Sequence, residues 1–169
     1  MLNALRRRAE TRRLSDRLTA RLVDLARLPV FYEAFGVPDT IDGRFDLLVL
    51  HAWLVLERLA AQGAQDLSQA VVDGLFVQFD EALRQQGAGD MGMGRRMTKI
   101  AEAWLGRLKA YDEAEPVLTA AILRNVFRGD SGKLEEARRL AMYAASMKSR
   151  LAEQDLAGGT LDFGPAPNP

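Results

Sequence analysis

The residues that could do chemistry are few and come in four groups. His51 is the single histidine, and it sits inside Leu47–Leu56, where every other side chain is apolar. An imidazole can ligate haem or move protons near pH 7, but either role needs a partner group. Its helical neighbours, Leu47, Leu48, Leu54 and Val55, supply none. A buried histidine hydrogen-bonded to another helix is therefore the expected state. Asp42 and Asp46, four residues apart, share a helix face with Arg44 nearby. Paired carboxylates can serve acid–base or metal chemistry, although acids early in a helix also complement its dipole. The third group is Gly87-Ala-Gly-Asp-Met-Gly-Met-Gly94, followed by Arg95, Arg96 and Lys99. The fourth is the arginine set Arg6, Arg7, Arg8, Arg12, Arg13, Arg17 and Arg21.

The glycine stretch matches nucleotide-binding patterns only superficially. Gly87, Gly89 and Gly92 have dinucleotide-fingerprint spacing, but they follow a helical pattern rather than a strand. A phosphate loop needs Lys and Ser/Thr where Arg95 and Arg96 stand. What remains is a turn at a helix N-terminus with three cations beyond it, suited to an anionic group of a partner. With no cysteine and one histidine, thiolate and multi-histidine metal sites are excluded. Nothing juxtaposes Ser, His and Asp as a triad. No cofactor and no catalytic residue is expected.

The elements that must position these groups are helices. Residues 2–28 carry Leu14, Leu18, Leu22 and Leu25 at helical spacing, with arginines on the other faces. Pro29 ends this basic amphipathic segment, which is suited to anionic lipid or an acidic partner. Phe31–Phe35 reads as a helical turn closed by Gly36, and Val37-Pro38 imposes an extended geometry. Asp39 or Thr40 caps a central helix over residues 41–61, with Gly63 after it. Its apolar core, Leu47–Leu56, is too short to span a bilayer, which needs ~20 residues. Asp66, with Gln69 three residues on, caps a helix that ends near Gln86. Its stripe is Leu67, Val71, Leu75, Phe79 and Leu83. Met97, Ala101, Trp104, Leu108 and Tyr111 form the stripe of the next helix. Pro116 starts a short apolar one, and Leu134 to Leu151 forms the last. Alternation with period two is absent. The expected class is all-α, a single bundle of about six helices around 41–61. A body over 29–156 follows the segment 1–28, and a disordered tail occupies 157–169.

The net charge of zero hides segregation. Residues 1–28 carry +5, 29–90 carry −7, 91–150 carry +5 and 151–169 carry −3. Distinct faces can thus meet distinct partners, and nucleic acid is not expected as one. No signal peptide is evident, so the expected location is cytoplasmic, peripheral at most.

Two motifs then meet. The first is Gly36-Val-Pro-Asp-Thr40, Gly43-Arg-Phe-Asp46 and the apolar helix ending Leu56-Glu-Arg-Leu59. The second is Gly89-Asp-Met-Gly-Met-Gly-Arg-Arg-Met97 followed by Gly106-Arg-Leu-Lys-Ala-Tyr111. Together, over roughly residues 29–128, they resemble the ubiquinol–cytochrome c chaperone family, which has mitochondrial members and alphaproteobacterial counterparts. Trp104-Leu105 departs from the aromatic pair expected before the second motif's Gly-Arg. The start of the chain lacks the features of a mitochondrial presequence, which favours a bacterial member.

The resemblance implies a non-enzymatic chaperone for assembly of the bc1 complex, with newly made cytochrome b as client. By the same likeness, a small partner protein or the ribosome are further partners, while the basic N-terminal helix makes the membrane's inner face a place of work. It makes Pro38, Asp39, Asp42, Arg44, Asp46, Gly89, Asp90, Gly92, Gly94, Arg95, Arg96 and Lys99 candidate partner-binding residues. Two other readings stand beside it. One is a membrane-surface adaptor using the seven N-terminal arginines, and the other is a small haem-binding enzyme using His51.

Overall fold

The computed structural model describes residues 2–85 and 90–168, without the side chains of residues 2, 3, 90 and 91. Among the described residues there are helices and no strands. The helices are α1 (Leu2–Ala26), α2 (Pro29–Glu33), α3 (Ile41–Ala61), α4 (Gln65–Gln85), α5 (Asp90–Ala114), α6 (Thr119–Asn125) and α7 (Leu134–Ala152). A turn of 3-10 helix, Ser131–Lys133, leads into α7. The expected bundle is present, with α2 as a five-residue addition. No described helix is long and apolar enough to cross a membrane.

α3 is the axis, and α1, α4, α5 and α7 all pack on it. Its middle is buried on every side, from Asp46 to Val55. That explains the lack of polar periodicity in Leu47–Leu56, since a helix surrounded by helices has no solvent face. Its start is fixed by three devices. The Thr40 hydroxyl accepts the Gly43 amide at 3.0 Å, the usual N-cap bond. Gly36 adopts φ +71°, a left-handed conformation that suits glycine. Gly43 lies so close to the preceding turn that an added Cβ would fall 1.9 Å from the Pro38 carbonyl oxygen. Gly43→Ala must therefore push the 36–40 turn off the helix, and is expected to cost about 1–3 kcal/mol by overpacking. A lowered midpoint in urea at unchanged m-value would register this.

His51 is fully buried in this axis. Its Nδ1 lies 2.8 Å from the Leu47 carbonyl, which can only accept, so Nδ1 carries the proton. Nε2 then accepts from the Tyr143 hydroxyl of α7 at 2.9 Å. Phe31, Tyr143 and Phe163 meet the ring edge-on. Burial lowers the His51 pKa to about 4, against a smaller upward pull from the Leu47 hydrogen bond. Lys148 of α7 makes a second tie. It pairs with Glu57 at 2.7 Å and with Glu115, and stands 5.5 Å from the Trp53 ring centroid.

Three local expectations are corrected. Asp66 is not the cap of α4. The Ser68 amide returns to Ala64 at 2.9 Å, so the helix starts earlier and Gln69 instead donates to Asp73 at 2.8 Å. Pro116 does not open α6, which begins at Thr119. The proline lies in the connection, where the Val117 amide returns to Ala114. α5 begins at Asp90, so Gly92 and Gly94 are helical rather than part of a turn. Glycine costs about 1 kcal/mol each in a helix, and burial of Met93 between them offsets some of that.

The tail expected to be disordered docks instead. Leu156 and Phe163 are buried and Leu161 packs on the core. Gln154 donates to the Asp162 carbonyl and accepts its amide, at 2.8 and 2.7 Å. An extended segment held by isolated anchors needs no helical periodicity. Residues 2–26 pack on the body through the leucine stripe: Leu18, Leu22 and Leu25 are buried, and α1 lies against α4 and α3.

Candidate functional site: a basic-rimmed groove at the start of the central helix

A groove of about 980 Å³ opens where the first turns of α3 meet the ends of α1 and α4, the middle of α5 and the end of α6. Its apolar surface includes Val23, Phe45, Leu48, Phe79 and Ile100. Phe45, Phe79, Phe76 and Trp104 form one aromatic cluster beneath it, with centroid separations of 5.4 to 6.2 Å. That cluster joins α3, α4 and α5. Ile41 stands 68% exposed at the groove's mouth. Asp42, Arg44, Lys99, Arg107, Arg124 and Arg128 are among its polar lining.

The electrostatic centre is Asp46. Its side chain is fully buried, one turn into α3, and meets two guanidinium groups. Arg107 of α5 donates from Nε to one carboxylate oxygen. Arg128 places Nη1 2.7 Å from the other and reaches toward Asp42 at 3.8 Å. Burial pushes the Asp46 carboxyl up from its ordinary value, and the two arginines pull against that push. Arg107 also covers the Phe45 ring at 5.1 Å and donates to the Ala103 carbonyl. Arg128 adopts φ +57° just after α6. That left-handed conformation costs a non-glycine residue about 1 kcal/mol, and here it turns the side chain back onto α3. Fully buried Tyr111 packs at a tilt against Trp53, 5.6 Å between ring centroids, and burial together with the nearby Asp46 charge raises its pKa.

The candidate residues divide cleanly. Asp42, Arg44 and Lys99 line the groove, and Asp46 lies beneath it. Asp39 is exposed and pairs with Arg44 at 2.8 Å, beside exposed Pro38. Arg95 and Arg96 are exposed on α5 but do not line the groove, and Gly92 and Gly94 lie in the same helical stretch. Gly89 and the side chain of Asp90 fall outside the described residues. Arg6, Arg7, Arg8, Arg12, Arg13, Arg17 and Arg21 are all exposed along α1. Sequence reasoning missed Arg107 and Arg128 as site residues. The signal for Arg107 was present: an acid abutting a ten-residue apolar run must be paired inside the fold. Arg128 carries no comparable sequence signal.

The fold and the sequence both have known relatives. Residues 33–158 match the family model described as ubiquinol-cytochrome C chaperone. Protein CBP3, mitochondrial, from Saccharomyces cerevisiae is 28% identical over 154 residues, which cover 80% of this chain and 44% of that one. Ubiquinol-cytochrome c reductase complex assembly factor 1 of Drosophila melanogaster is 25% identical over 141 residues, covering 77% and 54%. The chain thus spans about half the length of these curated relatives. The crystal structure of the Cbp3 homolog from Brucella abortus superposes with a TM-score of 0.80 at 33% identity, covering 96% of this chain and 97% of that one. The aspartate-centred groove is thus built on a shared all-helical fold, and the chain belongs to the ubiquinol-cytochrome c chaperone family.

Proposed function

We propose that the chain is a non-enzymatic chaperone for assembly of the bc1 complex and that it holds newly made cytochrome b at the groove. One observation carries the placement. Both sequence motifs send residues to the same spot, Phe45 and Asp46 from the first and Arg107 from the second. Residues so far apart in the chain converge there on a concave, partly apolar and charged surface, which suits binding. His51 speaks against the haem-enzyme reading. Both its ring nitrogens are engaged and the side chain is sealed in the core. Deleting the gene should lower spectroscopic cytochrome b and bc1 activity while other haem proteins keep their levels. Normal bc1 content in the deletion strain refutes the proposal.

A second, compatible reading concerns location, at the inner face of the cytoplasmic membrane. Arg13, Arg17 and Arg21 are four residues apart, so they share one exposed face of α1, beside the buried leucines. None of the three has a carboxylate partner among the described residues. Such a face suits anionic lipid headgroups, at roughly 1 kcal/mol per basic residue near the surface. Arg13→Gln with Arg17→Gln is therefore expected to weaken binding to phosphatidylglycerol vesicles by roughly 2 kcal/mol, read by co-sedimentation. Binding that is unchanged by the pair, or that persists in molar salt, argues against this reading.

A further inference from the structure

We infer that the occupant of the groove is an amphipathic helix of a partner protein, carrying carboxylates on both sides of an apolar stripe. This rests on the reading that the groove is the working surface, and it specifies the chemistry recognised there.

The charges around the groove are not all committed. Arg44 is held by Asp39, while Arg107 and Arg128 are held by Asp46. Arg27, Lys99 and Arg124 also line the groove, are exposed, and have no carboxylate partner among the described residues. They stand on three separate elements, just past α1, on α5 and on α6. Against them, among the described residues, the lining carries only Asp42 and Glu81 as acids. The groove therefore presents a positive field over an apolar floor, and binding partners are selected by complementary potential.

The arrangement discriminates among anions. A small anion would need cations converging on one point, whereas these come from three separate elements. A volume of about 980 Å³ is also at the upper end of what small-molecule sites use. Single-stranded nucleic acid would need free aromatic faces for base stacking. Phe45 and Phe79 are instead packed against each other, and Phe79 also against Phe76 and Trp104. An amphipathic helix satisfies the whole lining. Apolar residues at i, i+3, i+4 and i+7 cover Phe45, Leu48 and Ile100, with exposed Ile41 at the edge, and flanking carboxylates meet Arg27, Lys99 and Arg124. The walls are themselves helices, so a further helix packs by the same ridges and grooves.

The test uses the full chain and two labelled model peptides of about 18 residues, five helical turns. Both carry leucines at i, i+3, i+4 and i+7. One has glutamates flanking the stripe and the other has lysines at the same positions. Fluorescence anisotropy is expected to show the glutamate peptide binding at least about tenfold tighter, with the preference shrinking in salt. The variant Arg27→Glu/Lys99→Glu/Arg124→Glu alters exposed side chains only, and is expected to reverse the preference in favour of the lysine peptide. Ile41→Asp is expected to weaken both. Equal binding of the two peptides, binding of neither, or a preference untouched by the triple reversal overturns the inference. These outcomes separate from failure of the underlying reading. If the glutamate peptide binds as expected but groove variants capture cytochrome b normally, the client site lies elsewhere and the groove chemistry stands. If neither peptide binds and the same variants lose cytochrome b, the client reading stands and the acidic-helix occupant is wrong.

Discussion

Replacing Arg107 with alanine is expected to be the most damaging single change away from the apolar core. It removes one of the two guanidinium groups that face a fully buried carboxylate. Breaking a buried pair on one side costs about 3–5 kcal/mol, because the remaining charge is left without compensation. Arg128 stays near Asp46, which places the expectation at the lower end, ~3 kcal/mol. The loss should appear as a lowered denaturant midpoint in equilibrium unfolding. The double variant Asp46→Leu/Arg107→Met should lose clearly less than Arg107→Ala alone, since neither charge then remains buried and unpaired. A double variant less stable than the single would show that Arg107 acts through packing on Phe45 and not through its charge.

The second large expectation is a pH dependence set by His51. Its pKa is about 4 in the folded chain, against an ordinary value of 6.5. Between these values the unfolded chain binds a proton that the folded chain does not, so folding stability rises with pH across that window. The contribution is fully present above pH 6.5 and is lost as pH falls toward 4. The full difference corresponds to about 3 kcal/mol. Because His51 is the single histidine, its ring proton resonances need no assignment. They are expected to hold still from pH 8 to 5 in the folded protein. Titration near pH 6.5 would place the ring in solvent and contradict the buried contact with Tyr143.

Much of the scaffold was legible in the sequence. The bounds of α3 follow from the cap at Thr40 and the glycine after its end, both short-range signals. Long apolar stripes fixed α4, α5 and α7 for the same reason, because packing demands a period that composition reveals. The site was only half legible. Asp42 and Asp46 were read alike as acids favoured by the helix dipole. Asp42 fits, exposed in the first turn, but Asp46 lies a turn deeper and fully buried. No local pattern names the partners of a buried charge, since Arg107 and Arg128 arrive from other helices. Propensity also misled at both ends of the periodic signal. Gly92 and Gly94 argued against helix, yet α5 runs through both, with Met93 buried between them. Phe163 and Leu156 are single anchors, and single anchors leave no period to detect.

The central claim is that this fold holds cytochrome b at the groove between α3 and α5. The most direct measurement is affinity isolation of the tagged chain from its native membranes, followed by identification of the subunits that come with it. Ile41→Asp, a change at an exposed site on the groove's mouth, is carried in parallel. The account predicts cytochrome b with the parent chain and clearly less with the variant at equal protein level. Absence of cytochrome b from the parent isolate, or equal recovery with the variant, would contradict it.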